Sequence, residues 1–119
     1  MIKIIKGVWQ SFNYALAGMA KTFKSEHMFR IYLVLIILVL IAEVVLQLAL
    51  MKIAITIICG AGILSFELIN TGVEKTVDAL GQRNKLTAFA KDAAAGSVAL
   101  FAIGSLIAVV LMFIDHFIG

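Results

Sequence analysis

The 119-residue sequence predicts an all-α integral membrane protein. Three observations support this fold class: 63% of the residues are hydrophobic, only 14% are charged, and proline is absent. Soluble domains are about 45–50% apolar and about 25% charged, so a soluble globular domain is excluded. Disorder is also excluded, because it requires low hydrophobicity and high charge. The single cysteine, Cys59, excludes an intrachain disulfide framework.

Three stretches are apolar enough to span a bilayer, which requires about 20 residues in a helix. They cover about residues 29–51, 53–74 and 93–114. The first stretch contains Glu43 and Gln47, for which the sequence indicates no role. Because the polar segments are too short to fold separately, residues 1–119 are expected to form a single membrane-embedded domain.

The basic residues predict how the chain is oriented. Most of them lie before the first span or between the second and third spans, whereas Lys52 alone lies between the first and second. Loops rich in lysine and arginine stay in the cytoplasm. The N-terminus is therefore expected in the cytoplasm and the C-terminus outside it.

Residues 1–27 have the pattern of an amphipathic helix. Apolar residues recur at intervals of three and four, which places them on one face, and most lysines fall elsewhere. Such a helix is expected to lie in the cytoplasmic membrane interface, with its lysines near anionic headgroups. A plain membrane anchor explains this pattern equally well. The apolar face consists of Ile2, Ile5, Trp9, Phe12, Leu16, Met19 and Phe23.

Polar residues interrupt the second span at helical spacing. In a helix that turns about 100° per residue, Glu74 and Asp78 lie about 20° to either side of Glu67, and Asn70 lies about 60° away. A charge at the centre of a membrane helix costs about 2.5–3.5 kcal/mol, so this face requires compensation. Carboxylates on a rigid helix suit Mg²⁺, which binds one or two carboxylates together with phosphates and water.

The position of each acid along the helix distinguishes the interpretations. Glu67 follows a long apolar run and is followed by more apolar residues, which marks it as a functional intramembrane acid. Asp78, near the helix end, is typical of an ordinary exposed acid. Glu67 should lie about 10 Å deeper than Glu74. A lipid hydroxyl would then lie at the depth of Glu67, and a metal-bound phosphate compound would lie at the shallower depth of Glu74.

Other features leave alternatives open. Lys91 suits phosphate binding at a helix N-terminus, but also an ordinary flanking lysine. Glu26, considered alone, is typical of a solvated interfacial acid. No phosphate-binding loop of the GxxxxGK[ST] type is present, and no nucleic-acid partner is indicated. A holin-like pore or a transporter subunit also accommodates an acidic stripe, because the stripe can line water.

Four segments together form a recognisable pattern: residues 67–78 (ELINTGVEKTVD), 90–96 (AKDAAAG), 12–18 (FNYALAG) and 26–30 (EHMFR). This pattern resembles that of the prokaryotic diacylglycerol kinase and undecaprenol kinase family. The resemblance implies a homotrimer in the bacterial inner membrane, each subunit having three membrane helices and an N-terminal surface helix. It also implies Mg-ATP-dependent phosphorylation of a lipid hydroxyl.

The resemblance further implies roles for individual residues. Glu67 would be the catalytic base, and Glu26 and Glu74 would hold the metal that bridges ATP. The residues implied to bind or support the nucleotide and its phosphates are Tyr14, Asn70, Lys91 and Asp92.

The resemblance favours one lipid substrate. Residues 91–97 (KDAAAGS) and 14–18 (YALAG) look more like the undecaprenol kinases of Gram-positive bacteria. The diacylglycerol branch tends to carry serine where Ala95 stands, so undecaprenol is expected ahead of diacylglycerol. Gly72 stands where the family usually has alanine, which costs the helix about 1 kcal/mol at most.

An oligomer is also expected on physical grounds. Three helices alone are not expected to hide the Glu67 face from lipid, and small residues in the third span allow close helix contact.

Overall fold

The computed structural model describes all 119 residues, as four α-helices without strands. They are α1 (Ile2–Ser25), α2 (His27–Val45), α3 (Leu50–Leu80) and α4 (Lys85–Ile118). Helices α2, α3 and α4 are each long and apolar enough to cross a membrane. The predicted all-helical fold with three candidate membrane spans is confirmed.

Helices α3 and α4 extend beyond the predicted spans. They contain 31 and 34 residues, so most of the segment between the predicted spans is helical and the turn is confined to residues 81–84. Gly81 ends α3 with φ = 68°, a conformation that glycine adopts without steric cost. Asn84 then begins α4 with a capping box, in which its side chain accepts hydrogen bonds from the Leu86 and Thr87 N–H groups. The acidic segment of α3 and the basic start of α4 are consequently neighbours.

The turn between α2 and α3 explains Gln47. Helix α2 ends at Val45, before the predicted limit, because Gln47 adopts a left-handed conformation with φ = 60°. The Gln47 N–H donates to the Val44 carbonyl at 3.1 Å, and the Leu48 N–H donates to the Glu43 carbonyl at 2.9 Å. This is the Schellman pattern of helix termination, usually completed by glycine. Gln47 therefore has a structural role.

Helix α3 lies at the centre and packs against the other three helices. Gly60 and Gly62 permit this packing on two sides. A Cβ at Gly60 would lie 2.7 Å from the Ile36 side chain of α2, and a Cβ at Gly62 would clash with the Phe101 ring of α4. The Phe101 ring in turn contacts Phe66, with centroids 5.2 Å apart.

The interior of the chain is unusually polar for a folded protein. Buried residues include seven polar or charged side chains and five hydrophobic ones, while many large apolar side chains are exposed. Lipid can solvate the exposed apolar side chains, so the distribution fits a membrane protein. Glu43 is fully buried and accepts a hydrogen bond from the Thr56 hydroxyl, which links α2 to α3.

Candidate active site

The centre of the candidate site is the acidic face of α3, which carries Glu67, Asn70 and Glu74. The helical spacing places Glu67 and Asn70 toward the neighbouring helices, and they are only 7% and 8% exposed. Glu74 is partly buried one turn further on, and its carboxylate accepts from the Asn70 amide at 3.4 Å. The Thr71 hydroxyl donates to the Glu67 carbonyl at 3.0 Å. Two carboxylates and an amide therefore share one protected face.

The joint between α1 and α2 adds a third carboxylate. Glu26 is the residue between the two helices, with extended backbone that turns the chain. Arg30, one turn into α2, donates to the carbonyls of Phe23 and Lys24 at the end of α1 and so fixes the joint. Glu26 and Glu74 both lie near enough to Glu67 to repel its charge. The sequence around Glu26 did not indicate that it belongs to this group, and only the family resemblance implied it.

A lysine accompanies the acids. The ammonium group of Lys75 lies 3.8 Å from Glu26 Oε1. Lys75 was not identified from the sequence, because the turn of about 100° per residue places it to one side of Glu74 but does not indicate that α1 and Glu26 lie on that side.

An open groove of about 700 Å³ runs between α1 and α3. Tyr14, on α1, lines it and is largely exposed, while Thr71 and Lys75 line it from α3. The groove adjoins the acidic face, since Lys75 both borders the groove and pairs with Glu26. Tyr14 thus lines a groove that is linked to the carboxylates through Lys75, and none of the carboxylates lines the groove itself.

Lys91 is less closely tied to the acids, and it does not lie at a helix N-terminus as expected, because α4 begins six residues earlier at Lys85. Lys91 pairs with Asp78 across the α3–α4 turn, at 2.6 Å between Nζ and Oδ1. Lys91 donates a hydrogen bond to Asp78 in this ion pair, which the sequence did not indicate. Asp92 is exposed and makes no side-chain hydrogen bond or ion pair. The structure therefore brings together Glu26, Glu67, Asn70 and Glu74. Lys91 is not in direct contact with these residues and pairs with Asp78 instead.

The donor set fits a metal shared with a phosphate compound. No group of three or more His, Cys, Asp or Glu side chains is placed to hold an ion by itself. Magnesium typically needs only one or two carboxylates when phosphates and waters complete its shell. The Glu26 and Glu74 carboxylates match that requirement. The buried Asn70 Oδ1 also lacks a donor, which indicates that the face is incomplete without a ligand.

Comparison with known proteins addresses the identity of this site. Residues 13–113 match the model of the family described as "Prokaryotic diacylglycerol kinase". An undecaprenol kinase from Bacillus subtilis is 35% identical over 107 residues, which cover 89% of this chain and 87% of that protein. A diacylglycerol kinase from Synechocystis sp. is 35% identical over 111 residues, covering 86% of this chain and 63% of that protein.

The family match includes most of the chain and every predicted site residue from Tyr14 to Asp92. Both relatives are named kinases, and kinases use ATP. A pore or a transporter subunit is therefore not supported. The chain belongs to the prokaryotic diacylglycerol kinase family and is an enzyme, a lipid kinase with three helices long and apolar enough to cross a membrane.

Proposed function

We propose that the enzyme transfers the γ-phosphate of ATP to the hydroxyl group of undecaprenol, giving undecaprenyl phosphate. The observation that carries the proposal is the buried Glu67 carboxylate, with Glu26 and Glu74 close enough to repel its charge. Within the chain only Glu26 has a basic partner, so Glu67 and Glu74 call for a cation, and a buried acid such as Glu67 marks a functional site. Lipid phosphorylation supplies both a cation and a function.

In the proposed reaction, the lipid hydroxyl oxygen forms a bond to the γ-phosphorus as the bond to the β–γ bridging oxygen breaks. Glu67 accepts the hydroxyl proton, and ADP leaves. Little covalent chemistry falls to the protein in phosphoryl transfer, so positioning and electrostatics supply most of the rate. Asn70 would hold the Glu74 carboxylate in place through the hydrogen bond that the two side chains make.

Glu26 and Glu74 are the residues proposed to hold Mg²⁺. When bound, the ion neutralises negative charge on the transferred phosphoryl group. Tyr14 would bind the nucleotide from the groove wall, and Lys91 and Asp92 would contact the nucleotide and its phosphates. For Lys91 this requires release of Asp78, an exposed ion pair of the kind that typically contributes about 0–1 kcal/mol.

Undecaprenol is favoured over diacylglycerol by residues 91–97, in which Ala95 replaces the serine usual in the diacylglycerol branch. Diacylglycerol remains the second candidate because both relatives are equally identical to this chain.

The proposal includes a location and an assembly. We place the enzyme in the bacterial inner membrane as a homotrimer, with the N-terminus cytoplasmic and the C-terminus outside. Helix α1 would lie in the cytoplasmic interface. Its exposed Ile5, Trp9 and Phe12 would contact lipid, and its lysines would face anionic headgroups.

A direct assay tests the function. Purified enzyme is incubated with Mg²⁺ and ATP labelled at the γ-position, and undecaprenol and diacylglycerol are offered separately in the same detergent. We expect faster incorporation of label into undecaprenol. Preference for diacylglycerol would select the second candidate, and transfer to neither lipid by well-folded protein would refute the proposal.

A further inference from the structure

The ion pair between Lys75 and Glu26 sets Lys75 apart from the other basic residues. Every other side-chain ion pair lies outside the group of site acids: Lys52 pairs with Asp115, and Lys91 pairs with Asp78. Lys75 alone pairs with one of the three acids that approach one another. It therefore supplies the only direct positive compensation that this group receives within the chain.

The Lys75 side chain also borders the groove that contains Tyr14. It is 66% exposed, and its partner Glu26 is 25% exposed. The α3 wall near Lys75 includes Gly72, and no atom lies within 4 Å of the position that a Cβ there would occupy. A lysine has a flexible four-carbon stem and three rotatable donors, so its ammonium can turn from Glu26 into this open space.

Pairing with Lys75 and binding of a metal compete for Glu26. An ammonium group 3.8 Å from the carboxylate repels a divalent cation that binds the same oxygens. Exposed ion pairs are weak, so the lysine can be displaced at small cost. Once displaced, the ammonium needs a new anionic partner, and a triphosphate in the adjoining groove provides one.

We propose that Lys75 is a phosphate-binding residue that exchanges partners. Without a nucleotide it neutralises Glu26, and with a metal-bound nucleoside triphosphate it leaves Glu26 and binds the phosphates. This inference rests on the proposed function, specifically on Glu26 as a metal ligand. It adds a residue to the site and explains how the charge of Glu26 is balanced before the ligand arrives.

The exchange predicts opposite effects of one substitution on two ligands. In Lys75→Ala, a divalent cation offered alone should bind more tightly, because its competitor is gone. The gain should not exceed about fivefold, the range of an exposed ion pair. A nucleotide should bind about tenfold or more weakly, because a charge-assisted contact to phosphate is lost. Lys75→Arg should keep most of the nucleotide affinity, since it keeps the charge.

Binding measurements on the full chain in detergent test the exchange. Mn²⁺ is titrated by electron paramagnetic resonance without nucleotide, and a fluorescent, non-hydrolysable ATP analogue is titrated with Mg²⁺ present. Lys24→Ala is the matched control: Lys24 is an exposed lysine in the last turn of α1, and its side chain makes no ion pair. It should change neither affinity.

The outcomes separate this inference from the proposed function. Opposite shifts in Lys75→Ala, absent in Lys24→Ala, would support the exchange. Unchanged affinities, or shifts in the same direction, would overturn it while leaving the kinase proposal intact. Wild-type protein that binds neither the analogue nor Mn²⁺ would overturn both.

Discussion

Glu67 is buried in a candidate membrane span, where a carboxylate is costly and is usually retained for function. Apolar residues surround it along α3, and only 7% of the residue is exposed. Replacing it with glutamine keeps the shape and the polar atoms but removes the ability to accept a proton. If Glu67 is the base, lipid phosphorylation should fall by about 10²–10⁴-fold, the usual contribution of general base catalysis. The measurement is label transfer from ATP to undecaprenol.

Glu43→Gln is the matched control for Glu67→Gln. Glu43 is also a buried acid of a candidate span. Its carboxylate accepts a hydrogen bond from the Thr56 hydroxyl, and the amide oxygen of glutamine can accept that hydrogen bond equally well. We expect this variant to insert and to retain activity. Comparable activity of Glu67→Gln and wild-type enzyme would remove Glu67 from the role of base.

The Thr56 hydroxyl stabilises the pairing of α2 with α3. One Glu43 oxygen accepts from it, and the other is buried without a donor. Thr56→Val keeps the shape but leaves both oxygens unpaired, so the free energy of unfolding should fall by about 0.6–2 kcal/mol. Thermal unfolding in detergent measures this change. Thr76→Val should have little effect, because the exposed Thr76 hydroxyl donates only to Gly72 of its own helix; equal losses in the two variants would contradict the explanation.

At the scale of the helices, the turn that ends α2 contains a strained residue. Left-handed φ values cost ordinary L-residues about 1–2 kcal/mol, and Gln47 has φ = 60°. Gln47→Gly should therefore raise the free energy of unfolding, by no more than about 1 kcal/mol because glycine also loses more entropy on folding.

Gly81 offers the reverse experiment at the end of α3. Its φ is 68°, and no atom lies within 4 Å of the position of a Cβ, so only backbone conformation is affected by substitution. Gly81→Ala should destabilise by a similar amount. Both comparisons use thermal unfolding, and a loss of stability in Gln47→Gly would contradict the assignment of the turn.

The contact between α3 and α4 depends on Gly62. Its Cβ position is occupied by the Phe101 ring, so Gly62→Ala must displace the ring from its contact with Phe66, the residue before Glu67. Overpacking of this kind typically costs about 1–3 kcal/mol. Gly96→Ala is the control, because nothing lies within 4 Å of that position in α4. Unfolding in detergent should distinguish the two variants, and equal stability would show that Phe101 moves freely.

At the scale of the whole molecule, hydrophobic length and helical spacing were sufficient for the architecture. The apolar stretches predicted three long helices, and the spacing of Glu67, Asn70 and Glu74 predicted one shared face, which the structure contains. The helix ends were not predictable to the same degree. Gln47 is not a residue that normally ends a helix, and α4 begins at the Asn84 capping box, well before the predicted span at residue 93.

Contacts between distant segments could not be predicted from local pattern. The approach of Glu26 depends on how α1 meets α2 and α3, and the pairing of Lys75 depends on the direction of that joint. The expectation that one chain leaves the Glu67 face open to lipid was wrong, because the neighbouring helices already bury it. The burial of Glu67 therefore does not require a second chain.

The proposed homotrimer rests instead on the family resemblance and on α4. Small residues of α4, including Gly96 and Gly104, have no atom near their Cβ positions, which leaves room for a neighbouring helix. We expect chemical cross-linking of the enzyme in membranes to give three-subunit products. Because random collisions become rarer as protein is diluted with lipid, the yield should stay constant over a range of lipid-to-protein ratios. Monomers alone, or a yield that falls in proportion to dilution, would contradict a stable trimer.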